Sequence, residues 1–124
     1  SSGHLDDAIT HLDTAISLSP NDPSRWNFHL FKGSALLGAS EYEGAISSLR
    51  EAARLRSTAF WPYLFMIVCF VELDRMDDAA KAMKDLLGRN PGWTVKKTMS
   101  ALGSSNSIYD LCVSGLHKAG LPEE

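Results

Sequence analysis

Residues Ala59 to Val71 read AFWPYLFMIVCFV, thirteen positions without a charge, polar only at the Tyr63 hydroxyl and the Cys69 thiol. Three structures compete for such a run: a membrane span, a buried strand, or a helix buried on all sides. A span takes about 20 apolar residues. Thirteen helical residues reach only ~20 Å at about 1.5 Å each, against a hydrocarbon core of ~30 Å. Glu72, Asp74 and Arg75 follow at once and stop any extension. The membrane reading fails on length. Pro62 argues against a central strand, which cannot spare a backbone N–H, yet proline is tolerated in the first turn of a helix. What remains is a helix that is apolar all round, and such a helix needs neighbours on every side.

The neighbours are written as repeats. Three segments align on alanines that follow acidic residues: LDDAITHLDTAISLSP (5–20), YEGAISSLREAARLRS (42–57) and MDDAAKAMKDLLGRNP (76–91). Ala8, Ala45 and Ala79 are each followed four residues on by Leu12, Leu49 or Met83, and then by Ala15, Ala52 or Leu86. Pro20 and Pro91 close two of the copies, and Ser57 stands at that place in the middle one. The alanines are separated by 37 and 34 positions (8 to 45, 45 to 79), the extra three fitting the loop NDPSRW. Small residues suit tight helix crossings, where a larger side chain would overpack.

A period near 34 with this second-helix pattern resembles the tetratricopeptide repeat. Gly33, 12 residues before Ala45, matches the family's first-helix glycine, with Lys32 in place of the preceding leucine. The family's first-helix Trp and Tyr are replaced. The resemblance covers residues 4–91. It implies an all-α, tetratricopeptide-like helical repeat solenoid of about 2.5 repeats with C-terminal capping helices. The expected division is repeats over 1–91 (a half repeat at 4–20, then 24–57 and 60–91), followed by capping helices and tail at 92–124.

Local signals place the helices. His4–Leu18 carries Leu5, Ala8, Ile9, Leu12, Ala15 and Ile16 at helical spacing. Asp22-Pro23 offers an N-cap and a first-turn proline for a helix to about Gly38. The next helices are expected at Glu41–Arg56, from Pro62 to about Leu73, and at Asp77–Gly88, the last stopped by GRNPG. Asp6-Asp7 and Asp77-Asp78 sit where acidic residues favour a helix N-terminus. In the tail, Val95, Met99 and Leu102 form a short amphipathic helix that Thr94 would cap. Ile108, Leu111, Cys112, Gly115, Leu116 and Ala119 then fall on one continuous stripe, with Ser105–Ser107 as candidate caps and Gly120 as a left-handed stop. A stripe this regular has to be buried, and the open end of the repeat stack is the nearest partner.

The ending carries a second resemblance. Asn90-Pro91-Gly92 and GLHKAGLPE (115–123) are similar to the tails of tetratricopeptide regions fused to bacterial class III adenylate/guanylate cyclases and to some winged-helix regulators. His117 stands in place of the usual Arg. The cyclase catalytic residues are absent from this sequence, so the resemblance implies a cytoplasmic regulatory or assembly module of a larger bacterial signalling protein. A fragment of an enzyme with its active site upstream, or of a winged-helix transcription regulator, is the alternative. The sequence begins at Ser1 without Met or a basic-then-apolar leader, and reads as a piece of something longer.

Composition fits that role. With 124 residues, 44% apolar and 22% charged, the chain can bury a core. A formal net charge of −3 and scattered Lys and Arg argue against nucleic acid. Cys69 and Cys112, both in apolar contexts, read as reduced core residues. His4, Asp7 and His11 share a helix, but nothing converges on them as a metal site requires. No CxxC, HExxH, GxSxG or phosphate-binding glycine loop occurs. The expectation is therefore no enzyme, no cofactor and no metal, with protein as the partner class and pairing of two copies left open.

In the tetratricopeptide family the concave face is lined by the first helix of each repeat. Carried over, that gives Asn27, Leu30, Ser34 and Leu37 from one helix, and Trp61, Leu64, Val68, Val71 and Glu72 from the next. Only Asn27 resembles the Lys/Arg/Asn clamp of members that hold peptide C-termini, so that ligand is not expected. A hydrophobic groove for an apolar or amphipathic helix is expected instead, unless the tail covers it.

Overall fold

The computed structural model describes residues 2–124 as seven α-helices, with no strand among them: α1 (Ser2–Leu18), α2 (Arg25–Gly38), α3 (Tyr42–Leu55), α4 (Trp61–Glu72), α5 (Met76–Arg89), α6 (Val95–Leu102) and α7 (Tyr109–Ala119). The architecture is the all-α helical repeat that the sequence period implies. α2 pairs with α3 and α4 with α5, while α4 also packs on α3 and α2.

The repeat is visible in the backbone itself. Ser40 (φ 62°) and Asp74 (φ 55°) adopt the left-handed conformation at the two inter-helix turns, 34 positions apart. Glu41 N donates to Leu36 O and Arg75 N to Phe70 O, both at 2.8 Å. Ser40 N donates to Leu37 O and Asp74 N to Val71 O, both at 3.0 Å. These turns are helix stops in which a left-handed residue lets the chain satisfy otherwise orphaned carbonyls. The second-helix ends repeat in the same register, with Arg56 N on Ala52 O and Asn90 N on Leu86 O.

Gly33 explains how close α2 and α3 come. A Cβ there would lie 2.6 and 2.7 Å from Leu49 Cδ2 and Cγ, far inside the ~3.5–4.0 Å of ordinary carbon contact. Ala45, Leu49 and Ala52, the repeated small and apolar positions of α3, are fully buried.

α4 is the centre of the molecule. Every residue from Pro62 to Phe70 is buried, because α3 and α5 take two sides, α2 a third and α7 the rest. α7 rests chiefly on α4 and only slightly on α5. Its Gly115 makes the crossing possible, since a Cβ there would sit 3.3–3.4 Å from Val68 Cγ2, Cα and Cγ1. At the start of α7, Ile108 Cγ2 lies 3.4 Å from where a Cβ on Gly38 would be. The helix itself therefore lies on α4, and only Ile108, the residue before it, reaches α2.

The C-terminal segment locks this arrangement. Val95 N donates to Pro122 O at 2.8 Å and Lys96 N to Glu123 O at 3.0 Å, so the tail satisfies the open N–H groups of the first turn of α6. Leu121 is buried, and His117 Nδ1 pairs with Glu123 Oε1. Thr94 caps α6 as expected, accepting from Lys97 N at 3.1 Å, and Gly120 (φ 90°) closes α7.

Three local expectations are corrected. α2 starts at Arg25, because Asp22 Oδ1 accepts from Ser24 N and Ser24 Oγ and holds residues 22–24 in a turn. At α7, Asn106 Oδ1 rather than a serine accepts from Ile108 N, at 3.0 Å. Asp77 and Asp78 lie in the first turn of α5, but α1 begins at Ser2, leaving Asp6 and Asp7 beyond its first turn.

Candidate functional site

α7 covers part of α4 but leaves α2 free except where Ile108 reaches Gly38. Beside it lies an open groove of about 820 Å³. Its floor on α2 is a run of small residues, Ser34, Ala35 and Gly38, continued by Ala39. Leu30 and Phe31 stand at one side, and Phe31 leaves 51% of its surface exposed. Trp61 and Phe65 come from the first two turns of α4, and Leu5 from α1. The far wall is the tail: Leu102 and the loop Asn106–Ile108. Glu41 is the charged residue of the lining. It is exposed and forms no ion pair among the described residues.

The aromatic end is held rigidly. Trp61 stacks on Phe65 at 5.4 Å between ring centroids, and Phe60 bridges Trp61 (4.8 Å) to Trp93 (4.3 Å). Trp93 Nε1 in turn donates to Thr98 Oγ1 at 2.9 Å, and the Thr98 hydroxyl donates to Thr94 O at 3.0 Å. A chain of rings thus fixes the groove to α6, with the Trp93 and Thr98 polar tips satisfied.

Of the nine residues expected on the concave face, Leu30, Ser34 and Trp61 line the groove. Leu37, Leu64 and Val68 are sealed in the core and present nothing to a partner, which corrects their assignment. Leu30 and Leu37 share the helical face of Gly33, three residues before and four after it. That face turns toward α3, so Leu30 reaches the groove only at its margin, with 7% of its surface exposed. Leu64 and Val68 lie in the all-buried core of α4, and α7 covers Val68 through Gly115. Asn27 and Val71 are half-buried and Glu72 is exposed, all three outside the groove lining.

The stripe that sequence reasoning misses is Phe31, Ala35 and Gly38, at i, i+4, i+7 on α2. Its signal is an aromatic followed by small residues on one face, displaced by one position from the expected stripe. The tail contribution has no local signal, because it depends on where α7 lands.

Among the described residues no three His, Cys, Asp or Glu side chains gather as a metal site. Cys69 and Cys112 are free and buried, and burial pushes both thiols up to about 12, far from nucleophilic. No helix of the described residues is long and apolar enough to cross a membrane.

Residues 1–60 match the family model of the tetratricopeptide repeat. The matched region ends just before α4, while the left-handed inter-helix turn recurs 34 residues later at Asp74, so the architecture continues past the match. Tetratricopeptide repeats generally mediate protein–protein contacts, and the groove lies on the first-helix face. No curated protein shows significant similarity to the chain.

Proposed function

We infer that this chain is a protein-docking module and that the groove between α2, α4 and the α6–α7 loop receives the partner. The observation that carries the reading is an open apolar groove of about 820 Å³ on the first-helix face, with half-exposed Phe31 at its edge. Large aromatic walls and a small-residue floor give a partner's side chains both area and room. The module acts without turnover of its own, and within the cytoplasm. The tail sequence, NPG at 90–92 and GLHKAGLPE at 115–123, supports placing it in the regulatory region of a larger bacterial signalling protein such as a nucleotide cyclase.

The test is selection from a displayed random-peptide library on two baits, the native chain and a Ser34→Trp variant whose groove is filled. Peptides that bind the first and not the second support the reading. A library that yields nothing, or only peptides indifferent to Ser34→Trp, removes it, as does cyclase or nucleotide hydrolase turnover by the purified chain alone.

A further inference from the structure

The side of α4 turned away from the groove borders a second cavity. Tyr63, Met66 and Phe70 fall at i, i+3 and i+7, opposite Trp61 and Phe65 on the helix. They form the floor of a space of about 220 Å³ between α3 and α5. The small side chains of Ala53 on α3 and Ala82 on α5 leave that space unfilled. At about 30 Å³ for each water of the liquid, it holds roughly seven water-sized groups. Cations stand at both ends of the floor. Arg89 lies over the Tyr63 ring at 4.9 Å, and Arg75 at 4.9 Å and Arg50 at 5.8 Å share the Phe70 ring. A space of this size, flanked at both ends, suits a small molecule better than a continuous chain.

Charge defines that molecule. Arg75 is answered by Glu43 at 3.2 Å and Asp78 at 2.9 Å, and Arg89 by Asp85 at 3.7 Å. Arg50 on α3 and Lys81 on α5, one on each wall, form no ion pair among the described residues. Around the cavity four cations therefore meet three carboxylates, an excess of one positive charge. Arg50 also approaches the same ring as a second guanidinium, a like-charge contact that an anion relieves. We propose that this cavity is a binding site for a small monocarboxylate with an apolar body. The carboxylate bridges the Arg50 guanidinium and the Lys81 ammonium through charge-assisted hydrogen bonds, and the body lies on Met66 toward Tyr63. A dianion such as a phosphate monoester carries one charge more than the site neutralises and meets Asp78 and Asp85 in the wall. The site joins the second helices of adjacent repeats and does not depend on what the groove across α4 receives.

Two fluorinated probes of different shape, 4-fluorobenzoate and 6-fluorohexanoate, test the site by fluorine NMR line broadening on the full chain. At least one is expected to bind saturably below about 10 mM. Its neutral amide and the matching phosphate monoester should bind about fivefold or more weakly. Arg50→Gln and Lys81→Gln should each weaken the carboxylate about fivefold. Both side chains are exposed, so the fold survives their loss, and an unchanged far-UV circular dichroism spectrum checks this. Lys84→Gln, exposed on α5 outside the cavity lining, should leave binding unchanged. The proposal is overturned if neither probe binds saturably, or if the amide binds as well as the carboxylate. It is equally overturned if Arg50→Gln and Lys81→Gln have no effect, or if Lys84→Gln costs as much as they do, which would mark general surface charge.

Discussion

Replacing Gly33 by alanine adds one methyl group at the tightest helix contact in the chain. The new Cβ would stand 2.6 Å from Leu49 Cδ2 and 2.7 Å from Cγ, with Ala45 O at 3.4 Å behind it. Leu49 is fully buried, so it cannot swing into solvent. Relief must come from an off-rotamer Leu49 or from α2 and α3 moving apart, and overpacking of this kind costs about 1–3 kcal/mol. Alanine's better helix propensity returns up to about 1 kcal/mol. The net expectation is a loss of ~1–2 kcal/mol. With a urea slope of about 2 kcal/mol per molar, the unfolding midpoint should fall by roughly 0.5–1 M at unchanged slope, read by far-UV circular dichroism. Gly88→Ala is the internal control. It lies in α5 with nothing within 4 Å of where its methyl group would stand, so propensity alone should stabilise the chain by about 0.5 kcal/mol. The two substitutions, chemically identical, must move the midpoint in opposite directions. In a Leu49→Ala background, where the obstructing side chain is gone, Gly33→Ala should lose most of its cost, a coupling of about 1 kcal/mol. A Gly33→Ala midpoint at or above that of the native chain would refute the close-approach argument.

Three further outcomes follow from the same structure. Ser40→Gly and Asp74→Gly remove a side chain from left-handed turns (φ 62° and 55°) and should each stabilise by about 1 kcal/mol in urea unfolding; destabilisation at either would mean that its side chain contributes more than its backbone strain. With both thiols pushed up to about 12 by burial, Cys69 and Cys112 should stay unlabelled by Ellman's reagent at mildly alkaline pH in the folded chain and react at once in guanidinium; prompt labelling of the native protein would show that α7 opens. Burial, aided by Lys32 and Arg25 and opposed by Glu51, lowers the His29 pKa below its ordinary 6.5. The unfolded chain then binds a proton that the folded one resists, so stability should rise with pH up to about 6.5 and level off above it. His29→Gln should flatten that part of the pH profile, and an unchanged profile would count against the burial argument.

The helical repeat was legible because it is local chemistry repeated. The alanines at 8, 45 and 79, the apolar spacings after them and Pro62 at the start of α4 fix helix type and order through periodicity alone. Gly33 was equally legible, since a glycine inside a helix is costly unless something comes close to it, and Leu49 does. The site was legible only in part. A one-residue rotation on α2 separates Leu30 and Leu37, turned to α3, from Phe31, Ala35 and Gly38, turned to the groove. A helix with apolar residues on both faces does not reveal from its pattern which of them faces its pair.

The stretch AFWPYLFMIVCFV marks the boundary between what sequence and tertiary structure each decide. Its length, its proline and the 34-residue period make it a buried repeat helix without reference to any coordinate. What buries its second side is α7, which Gly115 allows to settle across Val68 and which the Val95–Pro122 and Lys96–Glu123 bonds hold in place. No local pattern encodes that choice, because an amphipathic stripe specifies only that it must be covered. Where it lands depends on how closely two backbones can approach, and that landing leaves the groove beside Phe31, Trp61 and Glu41 open.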